Sequence, residues 1–354
     1  MRVRRILCFL FFGMIVFLTY MAYADQQITI TFTGDCTLGG EEYLSEKEYS
    51  FQGFVRNYGY DWFFANVRGI FESDDYTVVN LEGVLSDSTD QKTGKTYNFR
   101  GATDYVKILT ESSVECVNLA NNHSFDFGAQ GFRTTKAVLR RAGIDYFAGK
   151  EINIYQKGNV RIAFLSCNCF QSQDYAENKT WFSRCIRKLR ETGISAIVFT
   201  FHAGQEYSRR HARDQINFAD FAIGEGCDLV VMHHPHVLQG ISVKNNRSII
   251  WSLGNFCFGG NTSVKTVNGV SSLYTAVIQA TLTFSDDGSY LGQQLRIYPA
   301  HISGNKSSNN FQPILVHGQE AKNIISMMQR DSGIRLRPFD DKKGYAMQDY
   351  LPAQ

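Results

Sequence analysis

The sequence predicts an α/β protein in which two β-sheets pack together under flanking helices. Strand-like apolar runs alternate with helical patterns over most of the chain, the rhythm of βαβ units and a largely parallel sheet. After residue 240 the rhythm changes, and apolar runs follow one another with only turns between them, as antiparallel strands do. Five of the earlier runs stop abruptly at a polar side chain: 29–33 before Gly34-Asp35, 76–81 before Glu82, 114–120 before Asn121-Asn122-His123, 196–201 before His202, and 229–232 before His233-His234-Pro235-His236. Open α/β sheets bind ligands outside the carboxyl ends of their strands, so these endings predict a site as well as a fold. Five of the eight histidines occupy them.

Taken in order, the first 24 residues stand apart from the fold. Arg2, Arg4 and Arg5 precede an apolar stretch over 6–20, and Ala22-Tyr23-Ala24 supplies a small-x-small pattern, as in a secretory signal peptide cleaved after Ala24. An uncleaved anchor is the competing reading, because the stretch approaches the roughly 20 residues that span a bilayer. Either way the chain is expected to be exported: extracytoplasmic, secreted or membrane-associated through that segment. Cys8 lacks the small residue just before it that a lipoprotein attachment site would show.

Helices are expected over 61–71, 103–111, 131–142, 180–191, 212–224 and 319–330, where apolar residues recur three and four apart. Phe132, Val138 and Leu139 form one such stripe, which Gly143 closes as a C-terminal glycine. Strands are expected over 241–243, 248–253, 273–284 and 292–298, with Asp286-Asp287-Gly288 turning between the last two. One domain is expected over 28–335. Residues 336–354 read as a polar C-terminal tail without periodicity.

Composition narrows the function. Without the first 24 residues the formal charge falls from +2 to −1, and no dense basic run exists, so a nucleic-acid partner is excluded. Of the eight cysteines seven lie beyond residue 24; the count is odd, no CxxC occurs, and most sit in or beside apolar runs. Buried free thiols fit that pattern, with one disulfide left open, and a disulfide-exchange module does not. The 44% of hydrophobic residues allows a sizeable core, and five prolines with no low-complexity tract argue against a flexible string of domains.

The polar endings carry the chemistry. In an extended segment His234 and His236 share a face while His233 points the other way, and Pro235 limits the entropy lost on ordering them. Asn122 offers an amide oxygen to a divalent cation and His123 acts as acid or base; the alternative is a polar turn feeding the next helix, which Asp126 and Gly128 fit equally. Asp35 and Glu82 supply the negative charge that two cations require. Asp35 after a glycine also suits a turn, whereas a carboxylate beside the buried run 78–81 needs a partner. His202 taken alone reads as a packed core histidine; beside the others it reads as a ligand, with Glu206 orienting it or serving as a base. Mixed carboxylate, amide and imidazole ligands suit two divalent metal ions (Mn, Fe or Zn) better than a structural zinc site, where thiolates dominate. Such a pair serves hydrolysis at phosphorus or at an amide. Arg100 is either a partner for a substrate carboxylate or phosphate or a plain surface arginine. His211, His301 and His317 lack this context.

The segments 32–35 (Phe-Thr-Gly-Asp), 80–83 (Asn-Leu-Glu-Gly), 119–128 (Leu-Ala-Asn-Asn-His-Ser-Phe-Asp-Phe-Gly), 202–207 (His-Ala-Gly-Gln-Glu-Tyr), 234–239 (His-Pro-His-Val-Leu-Gln) and 252–256 (Ser-Leu-Gly-Asn-Phe) resemble the ordered motifs of the capsule-synthesis CapA family, named for poly-γ-glutamate capsule production. The resemblance runs from about Ile28 to beyond Pro299, and 312–329 resembles the family's closing region. The family is a relative of the calcineurin-like metallophosphoesterases, which implies a four-layer sandwich of two central mixed sheets flanked by helices. It also implies Asp35 in the first phosphoesterase motif, Glu82 as the bridging carboxylate, Asn122 and His123 as the Asn-His pair, His202 as the lone histidine and His234 with His236 as the final pair. Asn255 would line the same cleft. Thr37 stands where the first phosphoesterase motif carries a histidine, and Ala203 where the family often shows tryptophan. The function implied is a metal-dependent hydrolase of capsule or envelope polymer biosynthesis, acting on an anionic envelope polymer or a phosphoester. The alternative is a non-catalytic polymer-binding or accessory component of a membrane-bound capsule synthase.

Overall fold

The computed structural model describes residues 25–169 and 172–353, so the segment read as a signal peptide or anchor lies outside the described residues. Strands β1 (Gln26–Cys36), β2 (Tyr76–Leu81), β3 (Cys116–Asn118) and β4 (Asp145–Phe147) are parallel neighbours. The next six strands, β5 (Asn153–Lys157), β6 (Val160–Asn168), β7 (Ala196–His202), β8 (Leu229–His233), β9 (Ile241–Lys244) and β10 (Arg247–Ile250), form a second sheet in the order β9-β10-β8-β7-β6-β5. The chain then returns to the first sheet with β11 (Tyr274–Phe284), β12 (Tyr290–His301), β13 (Ile314–Leu315), β14 (Arg337–Asp340) and β15 (Tyr345–Pro352). That sheet runs β14-β15-β12-β11-β1-β2-β3-β4, with β13 on β12.

Two-residue periodicity builds the layers. Ile28, Ile30 and Phe32 on one face of β1 meet Phe164, Val198 and Val231 of the smaller sheet, so the sheets pack face to face. On the outer face of the larger sheet, Val79, Leu81 and Val117 pack against Phe51 of α1 (Phe51–Tyr58), Phe71 of α2 (Arg68–Phe71), Leu109 of α3 (Val106–Thr110) and Leu139 of α4 (Gly128–Ala142). Leu165, Phe199 and Val230 pack on α5 (Ser172–Glu191) and α6 (Arg213–Glu225) through Phe182, Ile186, Phe218 and Ala222. α7 (Gly318–Asp331) inserts Ala321, Ile324 and Met328 into the core between the sheets. The result is the expected four-layer α/β/β/α sandwich. Each fully buried phenylalanine contributes about 1.5–3 kcal/mol, and they line all three interfaces, so the strand ends are held in fixed relation.

Several expectations change. The β-rich segment divides, β9 and β10 completing the smaller sheet and β11 and β12 crossing to lie beside β1. The helix expected over 61–71 is helical only at Arg68–Phe71; its apolar spacing reflects buried turn residues Phe63, Phe64 and Val67. α1 was not anticipated, although Ser50 caps it by accepting from the Gly53 N–H (3.0 Å). The C-terminal residues are no tail: β15 pairs antiparallel with β12, placing Ala346 opposite Ile297 and Gln348 opposite Leu295. Ala346 is fully buried and the Gln348 amide donates to the Ser248 hydroxyl (2.7 Å). Small and amide side chains at the inward positions hide the alternation, so the domain does not close at residue 335. The seven described cysteines are free thiols, six of them buried. Among the described residues no helix is long and apolar enough to cross a membrane.

A chain ending at Asp340 leaves the β12 edge unpaired, at about 1–3 kcal/mol for each backbone group that stays buried without a partner. It is expected to unfold at clearly lower urea than the full chain or to be insoluble. Equal midpoints in urea would show that β15 adds nothing.

Candidate metal centre

The larger sheet delivers Asp35 through an irregularity. β1 and β2 stay in register until Phe32 lies opposite Val78, then slip so that Asp35 lies opposite Asn80. This bulge re-aims the side chain, since without it Asp35 would share the parity of Thr31 and Thr33 and turn away from the second sheet. Residues 254–256 lie along the bulged end, with the Asp35 N–H donating to Gly254 O (2.8 Å) and the Phe256 N–H to Asp35 O (2.8 Å). A Cβ on Gly34 would collide with that Gly254 carbonyl, which is why glycine precedes the aspartate. Glu82 follows β2 directly, its N–H donating to Cys36 O (2.7 Å). Beyond β3, the Asn121 side chain donates to Leu81 O (2.8 Å) and accepts from the His123 N–H (3.1 Å), fixing the turn.

The smaller sheet delivers the histidines. His202 and His233 end β7 and β8 side by side. Beyond them the segment is not extended: His234 has φ 102° and His236 φ 57°. Such conformations cost about 1–3 kcal/mol each and gather at functional sites. They turn His234 and His236 inward beside His233, which keeps the inward parity of Leu229 and Val231, so His233 does not point away from the other two as expected. Its Nδ1 lies 3.1 Å from Asp35 Oδ1, and His236 Nδ1 lies 3.3 Å from Asp35 Oδ2. His234 Nδ1 stands 3.2 Å from His202 Nε2, which is 2.8 Å from Asn122 Oδ1. Glu82 Oε1 sits at the centre, 3.4 Å from His202 Nε2, 3.8 Å from His236 Nε2 and 3.9 Å from His123 Nε2.

Asp35 and Glu82 are both fully buried, yet among the described residues both Glu82 oxygens, His202 Nδ1 and Asn255 Nδ2 have no hydrogen-bond partner, and Asp35 Oδ2 and His233 Nδ1 have only the close approaches above. Protein interiors rarely tolerate such orphans, each costing about 1–3 kcal/mol. Convergent carboxylates and imidazoles that lack donors fit divalent cations, and three overlapping groups bring their ligand atoms within 4.8 Å: Asp35, Glu82 and His236; Glu82, His202 and His234; and Glu206, His234 and His236.

Burial drives the Glu82 carboxyl well above the usual range, and the Asp35 charge pushes the same way. Burial would raise Asp35 too, but His233 and His236 hold it well below. Burial lowers His202 far below the usual imidazole value and takes His234 to about 3, leaving both neutral, the form that ligates metal. Burial also opposes charge on His236, but Glu82 and Asp35 lift it to about 9.

His123 stands at the edge of this group. Its Nδ1 lies 2.6 Å from Asp126 Oδ2, and Phe99 stacks on its ring at 4.3 Å. Lys95 pairs with the other Asp126 oxygen and donates to Asn122 O (2.8 Å). A cavity of about 560 Å³ opens here, lined by Lys92, Lys95, Tyr97, Asn122, His123 and Glu206 among others.

The structure therefore brings together Asp35, Glu82, Asn122, His123, His202, His234, His236 and Asn255, whose Oδ1 is 2.8 Å from His236 Nδ1. Glu206 is set with its carboxylate against His234 and His236. Arg100 is not brought to the cleft: its guanidinium pairs with Glu42 and donates to Ser86 O (3.0 Å). The Thr37 hydroxyl is committed to backbone, donating to Gly39 O (2.7 Å) and accepting from the Gly259 N–H (2.8 Å). Sequence reasoning missed Asn80, which donates to Asp35 Oδ1 (2.8 Å), and Asn118, which donates to Asn80 Oδ1 (2.9 Å). The available signal was an asparagine near the end of each of two apolar runs. Lys95, in a polar loop, left no signal.

The family described as bacterial capsule synthesis protein PGA_cap matches residues 29–260, a span that holds every cleft residue above. The chain is 30% identical over 257 residues to the capsule biosynthesis protein CapA of Bacillus anthracis, covering 66% of this chain and 60% of that one. It is 28% identical over 256 residues to the PGA biosynthesis protein CapA of Bacillus subtilis (strain 168), covering 67% and 64%. The matched region thus spans less than two thirds of the length of either relative. A solved structure of a Mycoplasma pneumoniae phosphatase aligns with a TM-score of 0.45 at 11% identity, over 81% of this chain and 96% of that one.

Glu82 and His236 must shed protons to ligate a cation, so affinity is expected to fall as pH drops below the His236 value of about 9. The slope is about tenfold per pH unit for each proton displaced. Calorimetric titration with Mn²⁺ between pH 6.5 and 8.5, in buffers of different ionisation enthalpy, reads both the slope and the proton release; a flat affinity would contradict the assignment.

Proposed function

The chain belongs to the bacterial capsule synthesis protein PGA_cap family, and from that premise we propose that it is a metal-dependent hydrolase of capsule or cell-envelope polymer metabolism, working outside the cytoplasm. The observation that carries this reading is the pair of buried carboxylates among converging histidines, with Asp35 Oδ2 and both Glu82 oxygens making no hydrogen bond among the described residues. Asp35, Glu82, Asn122, His202, His234 and His236 would hold two divalent cations (Mn, Fe or Zn), which when bound supply positive charge to acidify water and to neutralise the oxygens of a displacement.

The chain's own residues supply the rest. Asp126 accepts from His123 Nδ1, which leaves Nε2 facing the cleft. Burial holds His123 below the usual imidazole value although Asp126 works against it. His123 would take a proton from solvent at Nε2 before the displacement and give it to the leaving group as that bond breaks. Lys95 fixes Asp126, and Phe99 keeps water off the ring. Asn255 holds His236 through Nδ1, so that its Nε2 faces Glu82. Lys92 and Lys95 line the cavity wall, where an anionic polymer or phosphoester would lie. Phosphodiester, phosphomonoester and γ-glutamyl amide substrates all fit this arrangement.

Thr37 favours a second reading. With its hydroxyl bound to backbone the cleft has one donor fewer for a first cation, as suits an accessory, polymer-binding component of a membrane-bound capsule synthase.

Mn²⁺-loaded protein is expected to hydrolyse bis(p-nitrophenyl) phosphate, p-nitrophenyl phosphate or poly-γ-glutamate. Replacing His234 and His236 by alanine should abolish turnover, and Asp126→Asn should lower kcat by roughly 100-fold with KM little changed. No turnover of any of the three with Mn, Fe or Zn would leave the accessory reading.

A further inference from the structure

The connection between β7 and α6 is clamped onto the His-Pro-His turn. The Ala203 N–H donates to His233 O (3.0 Å) and the Tyr207 N–H to Pro235 O (2.8 Å), so residues 203–207 run along the backbone that carries the histidines. Two glutamines secure the clamp: the Gln239 side chain donates to Ser208 O (2.8 Å), and Gln215 accepts from the Ala212 N–H (2.8 Å). Gly204, at φ 117°, leaves the space that the Gln215 amide fills, and a Cβ there would run into it. Glu206 is the charged side chain within residues 203–207. Its ligand oxygen lies within 4.8 Å of ligand nitrogens of both His234 and His236, and the residue lines both the 560 Å³ cavity and the smaller one beside Tyr207 and His236.

Unlike Asp35 and Glu82, Glu206 is exposed. It therefore reaches the two histidines from the solvent side of the cleft. One carboxylate and two imidazoles with an open fourth position are the ligand set of a catalytic zinc-type site. The buried carboxylates belong with an inner cation, and Glu206 adds a carboxylate at the mouth, where it lines both cavities.

We propose that Glu206 is a direct metal ligand, and that Glu206, His234 and His236 form a solvent-facing divalent-cation site at the mouth of the cleft, outside the site built on Asp35 and Glu82. The assignment rests on the metal-dependent reading above and gives Glu206 a role other than orienting His202 or acting as a base.

The test is calorimetric titration of Mn²⁺ into the full chain and its Glu206→Gln and Glu206→Asp variants, with Co²⁺ absorption spectra in parallel. The wild type is expected to bind two equivalents. Glu206→Gln should keep the tighter one unchanged and weaken the other by on the order of 100-fold, with altered Co²⁺ bands, and Glu206→Asp should fall between. Because the side chain is exposed, the metal-free variants should melt with the wild type. Two equivalents of wild-type affinity and an unchanged Co²⁺ spectrum in Glu206→Gln would overturn the assignment and leave the metal-dependent reading standing. A wild type that binds no Mn²⁺, Co²⁺ or Zn²⁺ would overturn both.

Discussion

Two carboxylates stripped of water at the seam between two sheets are the constraint around which this molecule is built. Asp35 and Glu82 have no solvent exposure, and each taken alone would be driven to its neutral form by burial. What keeps Asp35 charged is the second sheet, which supplies His233 and His236. The opposing strand ends are therefore coupled electrostatically as well as through the apolar core. That coupling accounts for features that would otherwise only cost stability: the slip in β1, the left-handed backbone of His234 and His236, and the glycine at position 34.

The parts of the fold that obey one simple period were legible from the residues. β2 is the run 76–81, and β7 and β8 each extend only one residue past their runs, to His202 and His233. These strands are buried on both faces and bounded by polar side chains, so composition marks them clearly. The turn at residues 286–288 and the cap at Gly143 were legible for a similar reason, because local backbone demands select the residue type. β15 was not legible. Its inward positions are held by Ala346 and Gln348, and its pairing with β12 depends on partners some fifty residues away. α1 is eight residues long, too short for its period to stand out.

Within the site, legibility divided along the same line. Residue types at strand ends indicated which side chains converge in the cleft, because few other environments place histidines and carboxylates together. Directions were not indicated. His233 was expected to face away from His234 and His236 because side chains alternate in extended backbone, and the positive φ angles that turn those two inward beside it leave no mark on residues 233–236. Arg100 was assigned by its charge alone, and Glu42, distant in sequence, takes it up. Asn80 and Asn118 form a chain of side-chain amides ending on Asp35; they hold the aspartate in place without facing the cavity, so only the three-dimensional register reveals them.

The position of β1 in the larger sheet bears on how the chain folds. Its N-terminal half runs antiparallel to β11, with Gln26 opposite Phe284, while its C-terminal half runs beside β2 and ends in Asp35. The strand that carries the first cleft residue thus gains its second neighbour only after some two hundred and fifty further residues have been made. Closing loops of that length makes folding slow. A chain wired in this way cannot complete the sheet around Asp35 until the strand ending at Phe284 has been made.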